Sequence, residues 1–262
     1  MKFFANKRKT YALIIVLIVA LMILSSLRLE ISWQTLLQGF PKAINRFIEA
    51  YLPMDFSQIQ PQLQQLWITI IVSIASGFAA MILAFFSALA ISSKTAGFKT
   101  LKVIIRGFAS LTRNVPEAIW AVLLLPMLWY GDFLAFIVLC IISYGFLTRA
   151  FADSIDETNS HCIEALQATG ASYWQIVVHA VIPETLPALI SWTLYAVENN
   201  IRSATIVGIL AGSGIGFLMF NYMGGLYVGY QGYQLMTTAI ILVVIVVIVS
   251  DQISTQIRKR VI

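Results

Sequence analysis

Four polar residues, Glu198, Asn199, Asn200 and Arg202, interrupt an apolar run that begins near Pro187. Glu198 and Arg202 stand four apart with the acid first, the favourable order for an ion pair on one helical face. Arg113 and Glu117 repeat the spacing, with Pro116 between them. An ionisable group at the centre of a bilayer costs about 2.5–3.5 kcal/mol on insertion scales, so such groups pair with one another or face water along a path. Free guanidinium groups there would hold an oxyanion through paired hydrogen bonds. The chemistry indicated is binding and passage, not bond making. His161 and Cys162 are a lone adjacent pair and His179 stands by itself, whereas a metal site needs three or four converging ligands. The His, Cys and acidic residues do not converge in sequence as a catalytic set would, which argues against a membrane-embedded enzyme. No G-x-x-x-x-G-K-[ST] loop is present to cradle ATP phosphates, and no cofactor is indicated for this chain. The stretch GSGIG at Gly212, Gly214 and Gly216 lacks the preceding strand of a dinucleotide fingerprint and reads as small residues for close helix packing.

These groups are set in an apolar chain. Of 262 residues, 59% are hydrophobic and 11% charged, with a mean hydropathy of +0.85. Soluble domains carry about 25% charged residues, so the chain reads as an integral membrane protein. The net charge of +5 lies in small clusters, which points to membrane topology and not to nucleic acid. Six spans, each near the roughly 17–25 helical residues that a bilayer requires, are expected at 11–27, 67–91, 116–131 (extended backward toward Val103), 133–147, 187–210 and 233–250. The first follows Lys2, Lys7, Arg8 and Lys9, is too long for a secretory core, and lacks an A-x-A site, so it is read as an uncleaved helix. Lys94, Lys99, Lys102, Arg106, Arg149 and the tail Arg258, Lys259 and Arg260 share the side of the N-terminal cluster; only Arg28, Lys42 and Arg46 fall opposite. By the positive-inside rule both termini are cytoplasmic. The expected fold is all-α and polytopic. Residues 1–66 hold the first helix and an amphipathic segment on the outer face, broken near Pro41, and residues 67–262 hold the core.

Two connecting segments carry pattern. Residues 212–233, rich in glycine and aromatics, are too irregular for a lipid-exposed helix and suit a re-entrant turn or outer gate, with Gly212, Gly214 and Gly216 at its start. The cytoplasmic segment at about 150–186 is long for a mere connector. Asp153, Asp156 and Glu157 suit a helix start. Gly170 reads as a stop, Ser172 as the cap of a second helix, and Pro183 as its end. The result is an elbow that either docks in a partner's groove or packs on its own bundle.

The stretch EALQATGASYWQIVVHAVIPETLP resembles the EAA loop of ABC-importer permeases of type I. Glu164, Ala165 and Gly170 match that pattern in spacing; Leu166 replaces its second alanine, and Ile182-Pro183 and Leu186-Pro187 only approximate its I-x-L-P close. RNVPE at 113–117 and ENNIRSATIVGILAGSGIG at 198–216 are similar to the phosphonate branch of the family. The resemblance runs from about Trp67 to the C-terminus. It implies a six-span permease in the bacterial inner membrane that passes phosphonate or a related phosphorus oxyanion. It also implies a second copy of the chain, an extracytoplasmic solute-binding protein, and a cytoplasmic ATPase dimer that binds ATP and Mg. Glu164, Ala165, Gly170, Trp174 and Pro183 would then couple to the ATPase. Arg113, Glu117, Glu198, Asn199, Asn200 and Arg202 would line or gate the path. The same machinery with another solute (methionine, a different oxyanion, a compatible solute) is the nearest alternative. An ion-coupled secondary transporter would show internal repeats, and none is evident.

Overall fold

The computed structural model describes residues 2–28, 32–95, 99–158, 160–224, 227 and 229–261. Every regular element among the described residues is a helix, and the chain divides into two compact units, Met1–Leu52 and Pro53–Ile262.

The first unit holds α1 (Lys2–Arg28) and α2 (Trp33–Tyr51). From Thr10 onward α1 is apolar on every side and exposed on nearly every side, as a helix solvated by lipid must be. In α2 the apolar residues Leu37, Phe40, Ile44, Phe47 and Ile48 recur at helical spacing and are exposed. The helix runs unbroken through Pro41, contrary to the expected interruption. Proline forgoes one hydrogen bond and disfavours the helix without forbidding it, and an amphipathic face can offset that loss.

The second unit is built on three long helices that pack on one another: α3 (Ile59–Ile91), α6 (Asp132–Asp156) and α9 (Ile182–Ala211). Close approach is possible because α3 presents Ser73, Gly77, Ala80, Ala84 and Ala88 at spacings of three and four, all buried. Small residues at this rhythm let helices pack where lipid supplies no hydrophobic drive. Against this face α6 buries Leu147, Phe151 and Ile155 completely, and it buries Leu134 and Leu139 among residues of α5 (Glu117–Leu128) and α9. Helices α4 (Lys99–Asn114) and α5 flank α6, and α10 (Gly214–Met223) fits among α3, α9 and α11 (Gln231–Val261).

Among the described residues, five helices are long and apolar enough to cross a membrane: α1, α3, α6, the run ending in α9, and α11. The third expected span differs. It is the 12-residue α5, about 18 Å long at ~1.5 Å per residue, and its expected backward extension is a separate helix, α4. Pro116 makes the break: its ring removes a donor and pushes Val115 out of the helical region, and its own backbone is extended at ψ 145°. Helix α3 begins eight residues earlier than expected. In its first turns Gln62 is fully buried and donates to the Leu235 carbonyl at 3.0 Å.

The acidic trio also sits elsewhere than expected. Asp153 and Asp156 belong to the last turns of α6, not to a new helix start. Asp156 instead accepts from Ser92 Oγ and Ser93 N, each at 2.6 Å, tying the end of α6 to the end of α3. A specific tertiary acceptor role thus outweighs the unfavourable position of an acid at a helix C-terminus.

Candidate functional site

The polar stretch of α9 divides into two parts. Asn200 is buried where three helices meet. It accepts from Ser143 Oγ of α6 at 2.8 Å and donates to Ser76 Oγ of α3 at 3.1 Å and to the Ser73 carbonyl at 3.4 Å. Its amide is committed to holding α3, α6 and α9 together. Asn199 is half-buried one residue away. Glu198 forms the anticipated pair with Arg202. Its second carboxylate oxygen lies 3.6 Å from a terminal nitrogen of Arg258 on α11. The carboxylate is 5% exposed, Arg202 44% and Arg258 29%. A buried anion therefore stands between two guanidinium groups that each reach outward. Arg258 was legible only as a cytoplasmic tail charge, because nothing in the linear order connects it with Glu198.

Arg113 and Glu117 are on different helices. Arg113 is exposed in the last turn of α4; Glu117 is half-buried in the first turn of α5, where the helix dipole favours a carboxylate. They form no ion pair among the described residues. Arg113 instead lines a cavity of about 370 Å³ with Arg106, Arg149 and Asp153. The signal for Arg106 was available: Arg106 and Arg113 are seven apart, two turns along one face. Arg149 comes from α6 and could be placed there only by the packing of the two helices.

At the N-terminal end of α9 lies the elbow. Helix α7 (Ser160–Ala168) ends at Gly170 with φ +79°, a left-handed conformation that glycine adopts without penalty. Ser172 then caps α8 (Tyr173–Ile176) in a capping box, its backbone N–H donating to Gln175 Oε1 at 2.7 Å. The chain does not stop at Pro183. A π-turn at Val177–Val181 carries α8 into α9, with the Ile182 N–H donating to the Val177 carbonyl five residues back. Such a widened turn re-registers the ladder just where proline lacks its donor. The helix is thus continuous from Tyr173 to Ala211, and exposed Pro183 lies within it.

One side of the elbow packs on the chain's own bundle, and the other is exposed. Ile163, Ile176, Val177 and Val181 are buried with Phe151 and Ile155 in the bundle's own core. Glu164, Ala165, Gly170, Tyr173 and Trp174 are exposed. Trp174 is 58% exposed, a large aromatic facing away from the core.

At the other end of α9, Gly212 and Gly214 form the turn into α10, at φ +73° and +60°. The turn is pinned by Ser213 Oγ donating to Asp132 Oδ1 at 2.6 Å, by Ile215 N donating to Thr69 Oγ1 at 2.9 Å, and by Gly131 N donating to the Ala211 carbonyl at 2.7 Å. Gly216 lies against the backbone of α9: a Cβ there would collide with the Thr205 carbonyl oxygen.

Comparison with known proteins agrees with this architecture. The phosphite transport system permease protein PtxC of Stutzerimonas stutzeri is 28% identical over 225 residues, 86% of this chain and 80% of that protein. The phosphate-import permease protein PhnE of Mycolicibacterium smegmatis is 32% identical over 158 residues, 60% of this chain but 29% of that longer protein. Among solved structures, an inward-facing conformation of the MetNI methionine ABC transporter superposes with a TM-score of 0.69, over 80% of this chain and all of that one, at 22% identity. Residues 83–262 match the family model described as the inner membrane component of binding-protein-dependent transport systems, and the chain belongs to that family.

Proposed function

We infer that this chain is the membrane-spanning subunit of an ATP-driven importer for phosphonate or a related phosphorus oxyanion. Two copies would form the path in the bacterial inner membrane, with all termini in the cytoplasm. A separate ATPase dimer would bind ATP and Mg, and an extracytoplasmic binding protein would deliver the solute. The observation that carries the choice of cargo is the alignment with the phosphite permease over most of both chains. The likeness to the methionine transporter, at 22% identity, supports the fold alone.

The site geometry supports a division of labour along α9. Its elbow end exposes Glu164, Ala165, Gly170 and Trp174, a surface fitted to a groove in the ATPase. The unbroken helix from Tyr173 to Ala211 would carry a push on that surface past Glu198 and Arg202 to the turn at Gly212, Gly214 and Gly216. Arg202 and Arg113, both exposed, would meet the anion in the path, while Asn199, Asn200 and Glu117 would shape its wall.

The test is ATPase stimulation and uptake by the complex reconstituted with its ATPase and binding protein, offered methylphosphonate, phosphite, phosphate and methionine in turn. Phosphorus oxyanions should stimulate and accumulate. Accumulation of methionine with no response to any of the three oxyanions would overturn the assignment of cargo.

A further inference from the structure

The structure leaves a surplus of positive charge in one place. Arg106 and Arg113 lie on one face of α4, and Arg149 and Asp153 on the facing side of α6, around the cavity of about 370 Å³. That volume falls in the usual range for small-molecule sites, ~300–1,000 Å³. The two helices come together at Gly145, where a Cβ would collide with Thr112 Oγ1 and lie 2.9 Å from the Ala109 carbonyl oxygen. This close approach is what sets Arg149, one turn beyond Gly145, beside Arg113.

Three guanidinium groups face a single carboxylate here. Arg149 approaches Asp153 through Nε at 3.6 Å, with both side chains about two-thirds exposed. One terminal nitrogen of Arg106 donates to the Ile91 carbonyl at 3.3 Å. The Arg113 side chain makes no hydrogen bond or ion pair among the described residues. Arg202, by contrast, is paired with the buried Glu198 carboxylate. A second cavity, of about 590 Å³, shares Arg113, Arg149 and Asp153 and opens toward Ser191 and Trp192 of α9; Glu157 adds a carboxylate to this wider space but not to the first. The pair of cavities lies at the elbow end of the bundle, since Asp153 is in the last turn of α6.

Building on the reading of the chain as an importer of phosphorus oxyanions, we propose that Arg106, Arg113 and Arg149 form an exit-side binding site for a tetrahedral phosphorus oxyanion. Planar guanidinium groups match that geometry with paired N–H donors. The surplus charge compensates a mono- or dianion. Two sources share the chemistry: the transported solute, and the phosphodiester headgroup of an anionic lipid.

The test uses the assembled permease and ATPase without binding protein, in nanodiscs of phosphatidylcholine alone or with phosphatidylglycerol. Binding of labelled methylphosphonate is measured at constant ionic strength, and retained phosphatidylglycerol by mass spectrometry. The comparison is wild type, Arg113→Gln with Arg149→Gln, and Arg113→Lys. Wild type should bind one oxyanion per permease chain, as methylphosphonate in the first disc or as retained lipid that methylphosphonate displaces in the second. The double variant should bind at least tenfold more weakly, and the Lys variant, which keeps charge but loses the fork, should fall between. Because Arg113 has no internal partner, Arg113→Lys should assemble even if the double variant does not, and an unchanged affinity in it would then overturn the site. Equal binding and equal lipid retention in wild type and double variant would also overturn it. Uptake by wild-type proteoliposomes, run in parallel, separates the two claims. Uptake without arginine-dependent binding refutes the site and spares the importer, whereas arginine-dependent binding without uptake of any phosphorus oxyanion supports the site and refutes the importer.

Discussion

Unequal burial in the charge cluster on α9 predicts an asymmetry between its members. Glu198 is 5% exposed and contacts Arg202 and Arg258, which are 44% and 29% exposed. Glu198→Gln removes the one charge that is cut off from solvent. The arginines it leaves behind keep a route to water, so the loss should resemble that of an exposed pair, about 1 kcal/mol or less. Arg202→Gln does the opposite. It strands a buried carboxylate with one remaining partner at 3.6 Å. Breaking a buried pair from one side costs ~3–5 kcal/mol, of which Arg258 offsets a part, leaving roughly 2–3 kcal/mol. For a chain of this size 1 kcal/mol corresponds to ~2–4 °C in Tm. Arg202→Gln should therefore lower the Tm of the purified complex by about 4–12 °C, and Glu198→Gln by about 4 °C or less. The double variant, with no stranded charge, should recover most of the difference and lie nearer Glu198→Gln. The measurement is thermal unfolding of all three in one detergent, arranged as a double-mutant cycle. If Glu198→Gln is as damaging as Arg202→Gln, or the double variant adds the two losses, the argument from stranded charge is wrong.

Two other substitutions test the packing on which the site stands. Asn200→Leu removes three interhelical hydrogen bonds; at ~0.6 kcal/mol apiece in a membrane the loss should be near 2 kcal/mol, read as a lowered Tm, and an unchanged Tm would show that the cluster does not hold the three helices. Gly216→Ala drives a methyl into the Thr205 backbone and should cost ~1–3 kcal/mol, whereas Gly107→Ala, within α4 with nothing near its added Cβ, should stabilise by about 0.5–1 kcal/mol. Parallel thermal scans of the two variants would decide, and equal shifts would refute the close approach of α10 to α9.

How much of the site could be read from the linear chain depended on the range of each interaction. The Glu198–Arg202 pair was visible because four residues make one helical turn. The stop at Gly170 and the cap at Ser172 were visible because both are satisfied by backbone a few residues away. Pro183 misled for a related reason: local rules give the loss at a proline, but not a π-turn just upstream that absorbs it. Asp153 and Asp156 misled because the dipole rule describes a helix in isolation, while Asp156 answers to Ser92 and Ser93 on another helix. The early start of α3 was not legible because the burial of Gln62 depends on the carbonyl of Leu235, far along the chain, that accepts its hydrogen bond.

Composition and periodicity alone determined that the chain is helical and apolar, roughly where its helices run, and which short motifs interrupt them, because lipid requires each spanning segment to satisfy its own backbone hydrogen bonds. The tertiary structure alone decided which polar groups meet. It assigned Asn200 to a three-helix junction, brought Arg258 to Glu198, and set Arg106, Arg113 and Arg149 around one cavity. Those meetings depend on where small residues such as Gly77 and Gly145 let one helix approach another, and the approach involves both surfaces at once.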